Sequence, residues 1–351
     1  MADDNQDKDP DVAQVIHNDL YVDDLLSGSS TIEEAIHLRD GITSLLQTAG
    51  FELRKWASNS EQFLNDIPEN SRESQQCLAF DSKDGVSTLG LLWLPKTDQL
   101  QVKNSDSSST TNVVINTKRK VLARVASIFD PLGLISPSVI VYKTYLQRLW
   151  QDKLPWDEQL SSQLQNDWDK LSDTISQLSN IYINRKVICT QAVNVQLHGF
   201  CDSSERAYGA CFYLRSADSN DNTFCNLLCS SSRVAPLKTL TIPQLELCAA
   251  VLLVKLYKRI INALRISISA TYMWTDSSIV LKWIQSPSNR WKTFVANGVT
   301  FIHEETSSVI WRHVPTVYNP ADLISRGGDP TIPSFPIIRH NTLGELHTCN
   351  N

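Results

Sequence analysis

Val193-Asn194-Val195-Gln196-Leu197-His198-Gly199-Phe200-Cys201-Asp202 reads as a β-strand that ends on a carboxylate. Thr271 to Thr275 is a second apolar run, and it too ends on an acid, Asp276. Gly209 to Leu214 and Phe224 to Ser230 are expected strands between them. The spacing predicts a helix from Pro243 through Tyr257, with proline in the first turn, where its missing N–H costs nothing. A helix follows Asp276 as far as Gln285, and Val309 to His313 is a short last strand. Strands in runs with helices across them indicate an α/β domain over 191–328.

Four acids in this domain stand in suggestive places. Asp202 and Asp276 end strands, Glu246 lies in the first turn of an apolar helix, and Asp322 opens a final helical turn after Asn319-Pro320. A charge inside a core costs several kcal/mol unless it is paired or holds a metal. Acids without matching Lys or Arg therefore suggest divalent cations, and oxygen-only ligands suit magnesium or manganese. Two such ions about 3.5–4 Å apart catalyse in-line displacement at phosphorus. Each acid also has a plainer reading: a turn residue (Asp202), a helix cap (Asp276), a helix-dipole partner (Glu246) or a surface acid (Asp322).

Upstream, Lys118 to Ile128 reads as a basic amphipathic helix, and Lys118, Arg119, Lys120 and Arg124 are candidate phosphate contacts or simply its solvated face. Phe129-Asp130-Pro131-Leu132-Gly133-Leu134 is a turn. Helices are expected over 137–152 and 157–179, with Trp150, Trp156 and Trp168 as core residues. The serine-rich stretch from Gln101 to Thr111 is the best linker candidate. Near the start, Leu20-Tyr21-Val22-Asp23-Asp24-Leu25-Leu26 resembles a hairpin with acids at its turn, after a helix-like piece. Thr31 to Ala49 is a helix with Thr31 as cap and Gly50 as stop. Phe51 to Trp56 reads as a strand, and Ser58 to Ile67 as a short helix ended by Pro68.

Of 351 residues, 42% are hydrophobic, 20% charged and 8% aromatic, so wholesale disorder is excluded. No apolar run approaches the roughly 20 residues of a membrane span, and Met1 to Pro10 lacks the apolar stretch of a signal peptide. These features set the expectation of an intracellular protein, in cytoplasm or nucleus. The net charge of −6 is uneven: residues 1–24 hold eight Asp and one Lys, and the remainder is close to neutral. Composition alone does not announce a nucleic-acid binder. The eight cysteines lack zinc-site spacing; Cys225 and Cys229 stand alone as a pair.

Several motifs together resemble the Pol polyprotein of BEL/Pao-type LTR retrotransposons, over about 12–328. They are Tyr21-Val22-Asp23-Asp24, similar to the YxDD box of reverse transcriptases; Gly50-Phe51-Glu52-Leu53-Arg54-Lys55-Trp56-Ala57-Ser58-Asn59; and Ala126 through Leu134. Arg233-Val234-Ala235-Pro236, Ile242-Pro243-Gln244-Leu245-Glu246-Leu247, Trp274-Thr275-Asp276-Ser277 and Asn319 through Gly327 complete the set. The resemblance implies an α+β remnant of a reverse transcriptase palm and thumb over 1–97 and a linker over 98–117. It further implies a helical connection over 118–190, an RNase H-like mixed sheet with flanking helices over 191–328, and a tail over 329–351. Asp202, Glu246, Asp276 and Asp322 would then be the ligands of two magnesium or manganese ions, and His313 a mobile catalytic histidine. The implied activity is cleavage of RNA in RNA–DNA hybrids, with nucleic acid and other Pol segments as partners and no membrane. Asp23 and Asp24 would be remnant polymerase acids, because the 20 residues before Tyr21 cannot hold the fingers or the third palm carboxylate. The integrase modules are not expected either. The central region is often labelled a peptidase family, yet no Asp-Thr-Gly or Asp-Ser-Gly triplet is present. Departures from the pattern are the three-residue step from Asn319 to Asp322, Gln244 in place of Arg, and Ser203 in place of Ala. The alternative is a non-catalytic or domesticated binding fragment.

Overall fold

The computed structural model describes residues 9–73, 86–88, 91–103 and 114–328. The expected tail and half of the expected linker lie outside these. The chain divides into two compact units, Met1–Leu100 and Gln101–Asn351.

In the first unit, helix Pro10–Asp19 starts where the Asp9 carboxylate accepts the Val12 N–H. A two-residue-strand hairpin follows, with Tyr21 paired to Asp24 and Val22 at φ +57° in the turn. Helix Ile32–Thr48 is capped by Thr31 and packs Ile42 and Leu46 against Val12. Gly50, at φ +79°, turns the chain out of it. The expected strand over Phe51–Trp56 is absent: Phe51 is exposed, Lys55 sits at φ +57°, and only Trp56 bridges another residue, Arg72. The next helix is a single turn, Glu61–Leu64, capped by Ser60. Val86–Thr88 and Leu91–Leu94 pair antiparallel.

The second unit opens with three helices, α1 (Lys118–Ala126), α2 (Ser136–Gln151) and α3 (Ser162–Gln177). The sequence places the start of α3 five residues too early. Gln159 is extended beside Thr117, and the Leu160 N–H donates to the Asn116 carbonyl at 2.9 Å, which holds this stretch out of the helix. Trp168 is buried as expected, whereas Trp150 and Trp156 are about two-fifths exposed and meet edge-on at 5.5 Å.

The remaining elements are β1 (Asn194–Ser203), β2 (Ala207–Ala217), β3 (Thr223–Val234), α4 (Ile242–Ala263), β4 (Ala270–Thr275), α5 (Ser278–Ile284), α6 (Thr293–Glu305), β5 (Ile310–His313) and α7 (Ala321–Arg326). The sheet order is β5-β4-β1-β2-β3. β1, β2 and β3 run antiparallel, while β4 lies parallel to both β1 and β5. The inner strands β2 and β4 are nearly continuous apolar runs because both faces of the sheet are covered there. On one face α4 packs over β1 and β2, burying Leu197, Phe212, Leu253 and Met273, each worth roughly 2 kcal/mol. On the other, Phe200, Tyr213 and Trp274 pack under Ala321 and Ile324 of α7. Gly209 permits that approach, since a Cβ there would lie 2.3 Å from Ile324 Cγ2.

The three early helices belong to this same unit. α2 packs on β3 and α7. The Phe129–Leu134 turn is built on Asp130, whose carboxylate accepts the N–H groups of Leu134 and Ile135 at 2.7 and 3.0 Å. The turn lies against β3, where the Ser230 N–H donates to the Leu132 carbonyl at 2.8 Å.

Candidate active site at the ends of β1 and β4

Parallel pairing sets Thr275 beside Cys201. The next residues, Asp276 just past the end of β4 and Asp202 in the last two residues of β1, therefore lie side by side. α4 begins at Ile242, a residue earlier than expected, where the Thr241 N–H donates to Gln244 Oε1 at 2.9 Å. Glu246 consequently falls at the start of the second turn, not in the first, and points back to the end of β4: Ser277 Oγ donates to its Oε2. Ser277, not Asp276, caps α5, accepting the Val280 N–H at 3.2 Å.

Asp322 reaches the site through α7, which is tied to β1 by three side chains. Asn319 is buried; its Nδ2 donates to the Cys201 carbonyl at 3.0 Å, and its Oδ1 accepts the Ala321 N–H at 3.1 Å. Ser204 Oγ donates to the Ser325 carbonyl at 2.7 Å, and Ser325 Oγ donates to Asp202. These anchors were missed as functional residues. Asn319, Ser277 and Ser325 were visible only as members of motifs, and Ser204 gave no signal of its own.

Electrostatics link the acids. Burial pushes the Asp202 carboxyl up to about 7; Ser325 opposes the rise, and Asp276 and Asp322 add to it. Glu246 is raised by burial and by Asp276, against the Ser277 hydrogen bond. Asp322 accepts from Arg326 Nε at 2.6 Å. His313 ends β5 beside Thr275, and its Nε2 donates to the Asp276 carbonyl at 3.1 Å. As the side chains stand, turned towards Ser325, Ser277 and Arg326, no three His, Cys, Asp or Glu among the described residues form a metal-holding group. The donor chemistry nonetheless fits a hard cation: carboxylate oxygens only, with a buried Asp202 whose charge its surroundings disfavour.

The basic residues of α1 have other work. Lys118 is buried; its Nζ donates to the Leu154 carbonyl at 3.1 Å and lies 4.1 and 5.0 Å from the ring centres of Trp150 and Trp156. This corrects the expectation that it contacts phosphate: the ammonium is the inner partner of two tryptophans. Arg119 makes a two-pronged pair with Asp157 at 2.7 and 2.9 Å. Lys120 Nζ donates to the Val114 carbonyl and to Asn116 Oδ1. Arg124 lies in the last turn of α1. In the first unit, Asp23 and Asp24 are exposed on their hairpin.

Residues 117–277 match the family described as the Pao retrotransposon-like RNaseH-like domain. The matched stretch is just under half of the chain and takes in the α1–α3 helices as well as the sheet as far as Ser277. Among solved structures, the chain is similar to a foamy viral protease-reverse transcriptase in complex with double-stranded DNA, at 12% identity and a TM-score of 0.50, covering 88% of this chain and 48% of that one. The chain therefore spans about half the length of that structure. It is also similar to the same kind of viral protein in complex with an RNA/DNA hybrid, at 14% identity and a TM-score of 0.47, over 88% of this chain and 37% of the other. An RNase H1 from Halobacterium salinarum matches at 14% identity and a TM-score of 0.25, over 36% of this chain and 90% of its own. No curated protein matches the chain.

Proposed function

We propose that the second unit is an RNase H-type nuclease that cuts the RNA strand of RNA–DNA hybrids. The observation that carries this reading is the gathering of Asp202, Asp276, Glu246 and Asp322 at one end of an RNase H-like sheet, with Asp202 raised by burial and by its acidic neighbours. These four would hold two magnesium or manganese ions, which when bound supply an activated water and stabilise the leaving 3′ oxygen. The chain's own contribution is placement. β1 and β4 fix two carboxylates on rigid strand ends, α4 presents the third, and Asn319 fastens the helix that carries the fourth. His313 stands at the rim against the Asp276 backbone, where an imidazole can take or give a proton.

Nucleic acid is the proposed partner, together with other segments of a Pol polyprotein. Residues 118–190 are read as the connection. Asp23 and Asp24 are read as remnant polymerase acids. The deciding experiment is cleavage of an end-labelled RNA–DNA hybrid by the purified protein with magnesium or manganese. Expected is cutting of the RNA strand that drops at least about 100-fold in Asp276→Asn. A folded protein that binds the hybrid without cutting it, with either ion, would establish the non-catalytic binding fragment instead.

A further inference from the structure

Among the described residues, one cation is paired with any of the four acids. Arg326 Nε lies 2.6 Å from Asp322 Oδ1, one helical turn along α7. Its guanidinium also feels Asp202 and Asp276. Two-thirds of the Arg326 side chain is exposed, so it can swing away without uncovering a core. A third of the Asp322 side chain is open to solvent.

We propose that Arg326 is the resident counter-cation of this acid cluster: it occupies Asp322 while no ion is bound and is displaced when a divalent cation takes that carboxylate. The inference rests on the ion-binding reading given above. The physics is a competition for one oxygen. Four carboxylates at the end of a sheet repel one another, and a guanidinium relieves part of that repulsion. A doubly charged ion relieves more, yet it must first break the existing pair. Arg326 therefore lowers the apparent ion affinity while protecting the ion-free fold. A residue that merely held α7 in place would act with the opposite sign, because losing it would loosen Asp322 and weaken ion binding.

The test uses the full chain and Mn2+ alone, with free ion followed by electron paramagnetic resonance, comparing wild type, Arg326→Gln and Arg326→Lys. Arg326→Gln is expected to bind Mn2+ about fivefold more tightly, the fold-change an exposed pair of this kind can supply. Arg326→Lys keeps the charge and is expected to stay close to wild type. The difference should shrink as salt screens the pair. In chelator, Arg326→Gln should melt below wild type, and saturating Mn2+ should close that gap. An Arg326→Gln affinity unchanged to within about twofold, or weaker, overturns the proposal while leaving the ion site standing. No Mn2+ binding by wild type overturns the ion-binding reading itself, and this proposal with it.

Discussion

Asp202 bears the electrostatic cost of the site. Its folded-state pKa, at about 7, lies well above the value near 4 of an unfolded chain. Between those values the folded protein holds a proton that the unfolded one lacks. Stability from this carboxyl is therefore present at low pH and lost as pH climbs through 7. Urea unfolding in chelator should show ion-free protein less stable at pH 8 than at pH 5. Asp202→Asn should flatten that slope and gain about 2 kcal/mol at pH 8, while abolishing metal-dependent cleavage. Asp202 and Asp276 were legible in the sequence because each terminates an apolar run, a local pattern. Their supports were not, because they are distant in the chain: Ser325 lies 123 positions from Asp202, and Asn319 lies 118 from Cys201. A serine or asparagine carries no periodicity that reveals a partner so far away.

The elements that position the site were mostly legible from apolar period and breakers, and the misses have physical causes. α6 was not read, although Val299 and Ile302 are buried and fall a turn apart with Val295 partly buried before them. Trp150 and Trp156 were assigned to the core by size, yet their payoff is the Lys118 ammonium between them and not burial. The Phe129–Leu134 turn was recognised from its proline and glycine, but its partner strand was invisible. Gly133, at φ +69°, passes so close to β3 that a Cβ would lie 1.9 Å from the Ser230 carbonyl oxygen. Gly133→Ala is thus expected to cost about 3 kcal/mol or more in urea unfolding, through both the clash and the left-handed backbone. Gly28, with open space around its Cβ position, is the control, and Gly28→Ala should leave the midpoint nearly unchanged.

At the scale of the whole molecule, the structure's division falls between Leu100 and Gln101, whereas composition drew attention to the serine-rich stretch just beyond it. Residues 118–190 share a compact unit with the sheet: Gln147 Nε2 donates to the Ala235 carbonyl at 2.6 Å, and the Gly328 N–H to the Pro137 carbonyl at 3.0 Å. Such long-range bonds leave no trace in composition. A fragment starting at Gln101 should unfold in one cooperative step in urea, and one starting at Gln191 should have a lower midpoint or none. The reason is that the second fragment lacks α2, which covers β3 and α7. The same turn has a consequence for how copies of this protein meet. β3 is a twelve-residue strand at the border of the sheet, and such a border offers a row of backbone groups to any passing strand. Leu132 takes one of those donors and the chain around Gly133 stands in the way of a newcomer. The Asp130 turn thus blocks this border at Ser230 against pairing by another strand.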